Sequence, residues 1–89
     1  MLASGRMQKA IKVLAFAGAR DVVGAPELDL ALEAPCSATA LLALICARYP
    51  GLAPHARSLR LAINGAYAVA EDVVHPGDEV ALIPPVSGG

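Results

Sequence analysis

Hydrophobic and polar positions alternate with period two over most of the chain, and one helical stripe interrupts them. Ala10 to Ala17 begins as an alternating run and ends fully apolar, the pattern of a central strand that Gly18 closes. Arg20 to Gly24 has the length of one helical turn before Pro26. Glu27 to Glu33 then alternates strictly, as an edge-like amphipathic strand does. Ser37 suits an N-cap, because its hydroxyl accepts from a backbone N–H one turn into the helix, and Tyr49-Pro50-Gly51 closes that helix after about 12 residues. Ala38, Leu41, Leu42, Ile45 and Tyr49 share one face, while Ala43 and Leu44 widen the stripe.

The second half predicts a hairpin and a last strand. Leu59 to Ile63 alternates, Asn64-Gly65 is the favoured pair for a tight two-residue turn, and Ala66 to Val69 returns. Pro76-Gly77-Asp78 is a turn, and Glu79 to Ile83 is a strand that runs directly into the chain's end. The order ββαββ predicts an α+β fold in which one main helix packs across a small mixed sheet. Residues 1–8 read as a loose extension, 9–83 as the domain, and 84–89 as a flexible Gly-Gly tail.

That tail changes the picture most. Pro84-Pro85-Val86-Ser87-Gly88-Gly89 carries no charged side chain. The prolines hold φ near the polyproline value and direct the chain away from the body. The glycines lack Cβ and pass a slot that other side chains would block. At 3.3–3.6 Å per residue the segment reaches about 20 Å, the depth of a partner's active site. A terminal carboxylate on two glycines is a handle for chemistry.

Composition narrows the functions open to such a chain. Eighty-nine residues make one small domain, with 56% hydrophobic and 17% charged residues, which leaves apolar surface for a partner. The formal net charge is −1 and the basic residues are scattered, so nucleic acid is not an expected ligand. Cys36 and Cys46 lack Cx2C spacing and are too few for a disulfide scaffold, which points to a reducing cytoplasm and no metal site. No apolar run approaches the roughly 20 residues of a membrane span. There is no P-loop, His55 and His75 sit in proline-flanked loops, and no expected helix carries paired carboxylates at i, i+4. Catalytic groups of its own are therefore not expected, and the chemistry falls on Gly89.

Asn64-Gly65, the Gly77-Asp78-Glu79-Val80 turn and strand, and the PPVSGG ending together make the chain resemble the small, sulfur-carrying subunits of molybdopterin synthase. The resemblance runs from about Ile11 to Gly89 and includes Phe16-Ala17-Gly18-Ala19-Arg20-Asp21. It implies a β-grasp, or ubiquitin-like, roll. It also implies that Gly89 is adenylated by an ATP-dependent activating enzyme and converted to a thiocarboxylate by a sulfurtransferase or cysteine desulfurase. It further implies no bound cofactor. The sulfur then goes to cyclic pyranopterin monophosphate on the synthase large subunit, with Gly88 as slender neighbour and Pro84, Pro85, Val86 and Ser87 as guide. Since adjacent strand residues point to opposite faces, one each of Ala62/Ile63 and Leu82/Ile83 faces away from the helix. Leu82, Ile83, Ile63 and Arg20 are the candidate partner-binding residues. A carrier for thiazole formation in thiamine synthesis, a ubiquitin-like protein modifier and a non-catalytic interaction module are the alternatives.

Overall fold

In the computed structural model, which describes residues 10–84, the apolar positions of alternating strands meet one stripe of a single long helix. Strands β1 (Ala10–Ala15), β2 (Glu27–Ala31), β4 (Arg60–Ile63), β5 (Ala66–Tyr67) and β7 (Glu79–Ile83) form a sheet of order β2-β1-β7-β4-β5. β1 and β7 pair in parallel at its centre, and the other pairs are antiparallel. The sheet is therefore mixed, as expected. β3 (Cys36–Ser37) and β6 (Val73–Val74) form a small separate pair.

Helix α2 (Ala38–Arg48) starts where the sequence places it: Ala40 N–H donates to Ser37 Oγ at 3.0 Å. It buries Ala38, Leu41 and Ile45 against Ile11, Val13 and Ala15 of β1, Leu61 of β4, and Val80 and Leu82 of β7. At about 1.5–3 kcal/mol for each large side chain, this cluster is the main source of stability. Leu44 and Ala43 do not widen the buried stripe; both are exposed. A 3-10 segment, Pro50–His55, follows the helix and adds Leu52 to the core.

The first strand is shorter than its apolar run suggests. It stops at Ala15, and Ala17–Val23 form a seven-residue helix α1. Phe16 is still extended, and the chain turns at Ala17, whose φ is 49°. The helix wins because it buries Ala19 against the core, with Ala17, Ala19 and Arg20 as good helix formers offsetting Gly18 in its first turn. Gly24 ends it at φ 87°, with its N–H donating to Arg20 O at 2.8 Å. β2 likewise ends at Ala31 rather than Glu33, although Leu32 remains buried. The hairpin turn is as expected: Asn64 and Gly65 both have positive φ, joining Ile63 to its partner Ala66.

Candidate functional site

Alternation along the strands divides the sheet into a core face and an open face. Leu82 is fully buried, so Ile83 points the other way; Leu61 and Ile63 pack on the core side, so Ala62 points outward. Of the candidate partner-binding residues, Leu82 is thus withdrawn into the core, and Ile63 is half-buried against it. Neither presents a side chain to a partner as Ile83 does.

The register fixes what surrounds Ile83. Leu14 lies beside Ala81, Ala81 beside Ala62, and Ala62 beside Tyr67, so one apolar row crosses four strands of the open face. Tyr67 at its end is 72% exposed. One step toward the tail, Ile83 lies beside Arg60. One step away from the tail the row is charged: Asp29, Lys12 and Glu79, with Lys12 Nζ also 3.9 Å from Glu27 Oε2. Phe16, 48% exposed, follows β1 at the tail end. Both α2 and α1 contribute their buried residues to the core on the other face, so no helix among the described residues covers this one, although Ala62 in the middle of the row is itself only 7% exposed.

Arg20 is exposed on α1, and among the described residues neither it nor Arg60 has a carboxylate within ion-pair distance. Pro84, half-buried, is the last described residue. Pro85, Val86, Ser87, Gly88 and Gly89 lie outside the described residues. Leu14, Phe16, Tyr67 and Ala81 were missed by the sequence reading. Carrying the alternation of Ile11, Val13 and Ala15 one step sideways marks Leu14 and Phe16 as outward, but Phe16 was read as part of a fully apolar central strand.

A second cluster holds the base of β7. Asp78 accepts from His75 N–H at 2.9 Å and from Asn64 Nδ2 at 3.1 Å, while Asn64 Oδ1 accepts from Glu79 N–H at 3.0 Å. The backbone bond from His75, then that from Asn64, holds the Asp78 carboxyl below its ordinary range, against a smaller opposing effect of burial; the His75 charge adds least. Burial raises the Cys46 thiol, which packs against the core as a small hydrophobe. Among the described residues no three of His, Cys, Asp and Glu converge to hold a metal ion. No helix among them is long and apolar enough to cross a membrane.

A five-stranded mixed sheet packed on one main helix, with its last strand ending beside an open apolar face, defines a β-grasp, ubiquitin-like protein. The chain belongs to the ThiS family, whose model matches residues 13–89. It is 41% identical over 81 residues to the molybdopterin synthase sulfur carrier subunit of Chlamydomonas reinhardtii, covering 89% of this chain and 98% of that one. The subunit of the same name from Arabidopsis thaliana is 37% identical over 79 residues, covering 89% and 82%. The human one is 34% identical over 82 residues, covering 89% and 93%. Among solved structures, a putative molybdopterin converting factor, subunit 1, from Pyrococcus furiosus superposes with a TM-score of 0.76 at 25% identity, over 86% of this chain and 98% of that one. Small archaeal modifier protein 1 from Methanosarcina acetivorans gives 0.72 at 28% identity, over 90% and 96%.

Proposed function

We infer that this chain is the sulfur carrier subunit of molybdopterin synthase, a partner of the synthase large subunit without catalytic groups of its own. The observation that carries the reading is the position of Pro84, at the end of a central strand whose outward residue, Ile83, continues an open apolar face. A partner that covers this face receives residues 85–89 in its own interior.

The chemistry then falls on Gly89. A carboxylate is a poor electrophile until an activating enzyme exchanges the pyrophosphate of ATP for it and leaves an acyl adenylate. A persulfide sulfur, supplied by a sulfurtransferase or cysteine desulfurase, displaces AMP. A thiol then attacks the donor-side sulfur of the resulting acyl disulfide, forming a disulfide with the donor cysteine and releasing the thiocarboxylate. Docked on the large subunit, the tail delivers that sulfur to cyclic pyranopterin monophosphate, and two deliveries build the dithiolene. Gly88 keeps the end slender, Pro84 to Ser87 guide it, Arg60 offers a charge beside Ile83 on the open face, and Arg20 offers an exposed charge on α1. The cytoplasm, where thiols stay reduced, suits both the thiocarboxylate and the two free cysteines.

A second reading, protein modification, is supported by the likeness to the archaeal modifier protein. It uses the same activated glycine with a lysine amine as the attacking group. One experiment separates them: the intact mass of the chain, tagged only at its amino end, after incubation with activating enzyme, ATP and a sulfur source. A carrier gains one sulfur in place of one oxygen. A lysine-linked adduct identifies a modifier, and an unchanged mass rejects both.

A further inference from the structure

The root of the tail has a second face. Leu82 points to the core, Ile83 away from it, and Pro84 back toward the core side, following the alternation of the strand. There Pro84 forms one wall of a pocket of about 160 Å³, lined also by Gly18 and Ala19 of α1 and by Leu52, His55, Ser58 and Leu59. Ala19, Leu52 and Leu59 are buried and make an apolar floor, whereas His55 and Ser58 are exposed at the rim. No buried polar side chain is aimed into it among the described residues. The volume is below the roughly 300–1,000 Å³ of small-molecule sites. It fits one apolar side chain rather than a cofactor.

The chain itself indicates where that side chain comes from. Residues 85–89 leave from the pocket's wall, so a protein that encloses them stands within one residue length, about 3.5 Å, of its mouth. We propose that this pocket receives a single aliphatic or aromatic side chain of the synthase large subunit when that subunit encloses the tail. The body is then gripped on both sides of β7, through Ile83 on the open face and through the pocket beneath Pro84. The proposal rests on the carrier reading above and adds a contact on the opposite side of the sheet.

Gly18 provides the test, because a Cβ added there meets nothing within 4 Å. Gly18→Phe fills the pocket from α1, Ser58→Tyr fills it from an exposed turn on the opposite wall, and Glu71→Ala, at an exposed position that does not line the pocket, leaves it open. Affinity for the large subunit of the same organism is measured by titration calorimetry, with thermal melting to establish that each variant is folded. Both plugging variants lose about tenfold or more in affinity, the loss of one buried anchor, while Glu71→Ala stays within about twofold of the parent. Parent-like affinity in either folded plugging variant overturns the pocket contact and leaves the carrier reading intact. Failure of the parent chain itself to bind the large subunit overturns both. Ser58→Tyr, outside any helix or strand, keeps the test decisive if Gly18→Phe does not fold.

Discussion

Asn64 and Asp78, fourteen positions apart, are joined by a side-chain hydrogen bond of 3.1 Å that ties the hairpin turn to the turn leading into β7. Asn64 completes the link from its other end, accepting from Glu79 N–H with Oδ1, while its own N–H donates to Glu79 O at 2.7 Å. The two turns thus fix the start of the strand whose far end carries the tail. Because these bonds favour the ionised Asp78, its folded value is depressed, and the stability it contributes is complete above the ordinary aspartate range. That stability is lost as pH falls through the depressed value. Asp78→Ala is expected to cost about 1–3 kcal/mol at neutral pH, the loss of two hydrogen bonds to a charged acceptor. Chemical denaturation at neutral and acid pH checks it: the gap between parent and variant narrows on acidification.

Gly65 at φ 89° follows Asn64 at φ 51°, the conformation of a two-residue turn that only glycine adopts without strain at its second position. An alanine there has open space around its Cβ, so the penalty is purely conformational. Gly65→Ala should destabilise the fold by about 1–2 kcal/mol. Gly18→Ala, in a helix with ordinary φ, should stabilise it by about 0.5–1 kcal/mol. Opposite shifts in melting temperature are the expected result, and shifts of the same sign would contradict the turn assignment.

Where a local rule and the tertiary demand agree, the sequence was legible. Ser37 as N-cap, Asn64-Gly65 as the turn, the edge position of β2 and the span of β7 could all be read because each rests on a few adjacent residues. The end of β1 was not legible. Phe16 and Ala17 continue an apolar run, and nothing nearby announces that burying Ala19 against a distant core favours a helix. The same limit applied to the faces. Alternation says that Leu82 and Ile83 oppose each other, but only the pairing of Leu82 with Leu61 and Ala15 shows which one is inside. The pocket beneath Pro84 was invisible for a related reason, since its walls come from α1, the 3-10 segment and the end of β7.

That division between adjacent residues yields a paired prediction. Leu82→Ala removes a fully buried side chain and should cost about 2–5 kcal/mol of stability. Ile83→Glu places a charge on the open face and should leave the fold nearly unchanged, while weakening binding to the large subunit by about tenfold or more. Denaturant midpoints and calorimetric affinities for the two variants decide it. An Ile83→Glu variant that binds as the parent does removes the open face from the interface.

Deletion of Gly89 separates the tail's chemistry from the body's docking. The deletion lies beyond the sheet, whose last described strand residue is Ile83, so the melting temperature should not move. The new terminus would be Gly88, one residue length short of its former reach, about 3.5 Å. A misplacement of even 1 Å can reduce a positioned reaction about 100-fold. ATP-dependent sulfur incorporation, read from the intact mass, should therefore fall below detection, while binding to the large subunit through Ile83 and its row persists. Ile83→Glu should give the reverse pattern, binding weakly to the large subunit while still accepting sulfur at Gly89. If both variants lose both properties, docking and chemistry are not divided between face and tail.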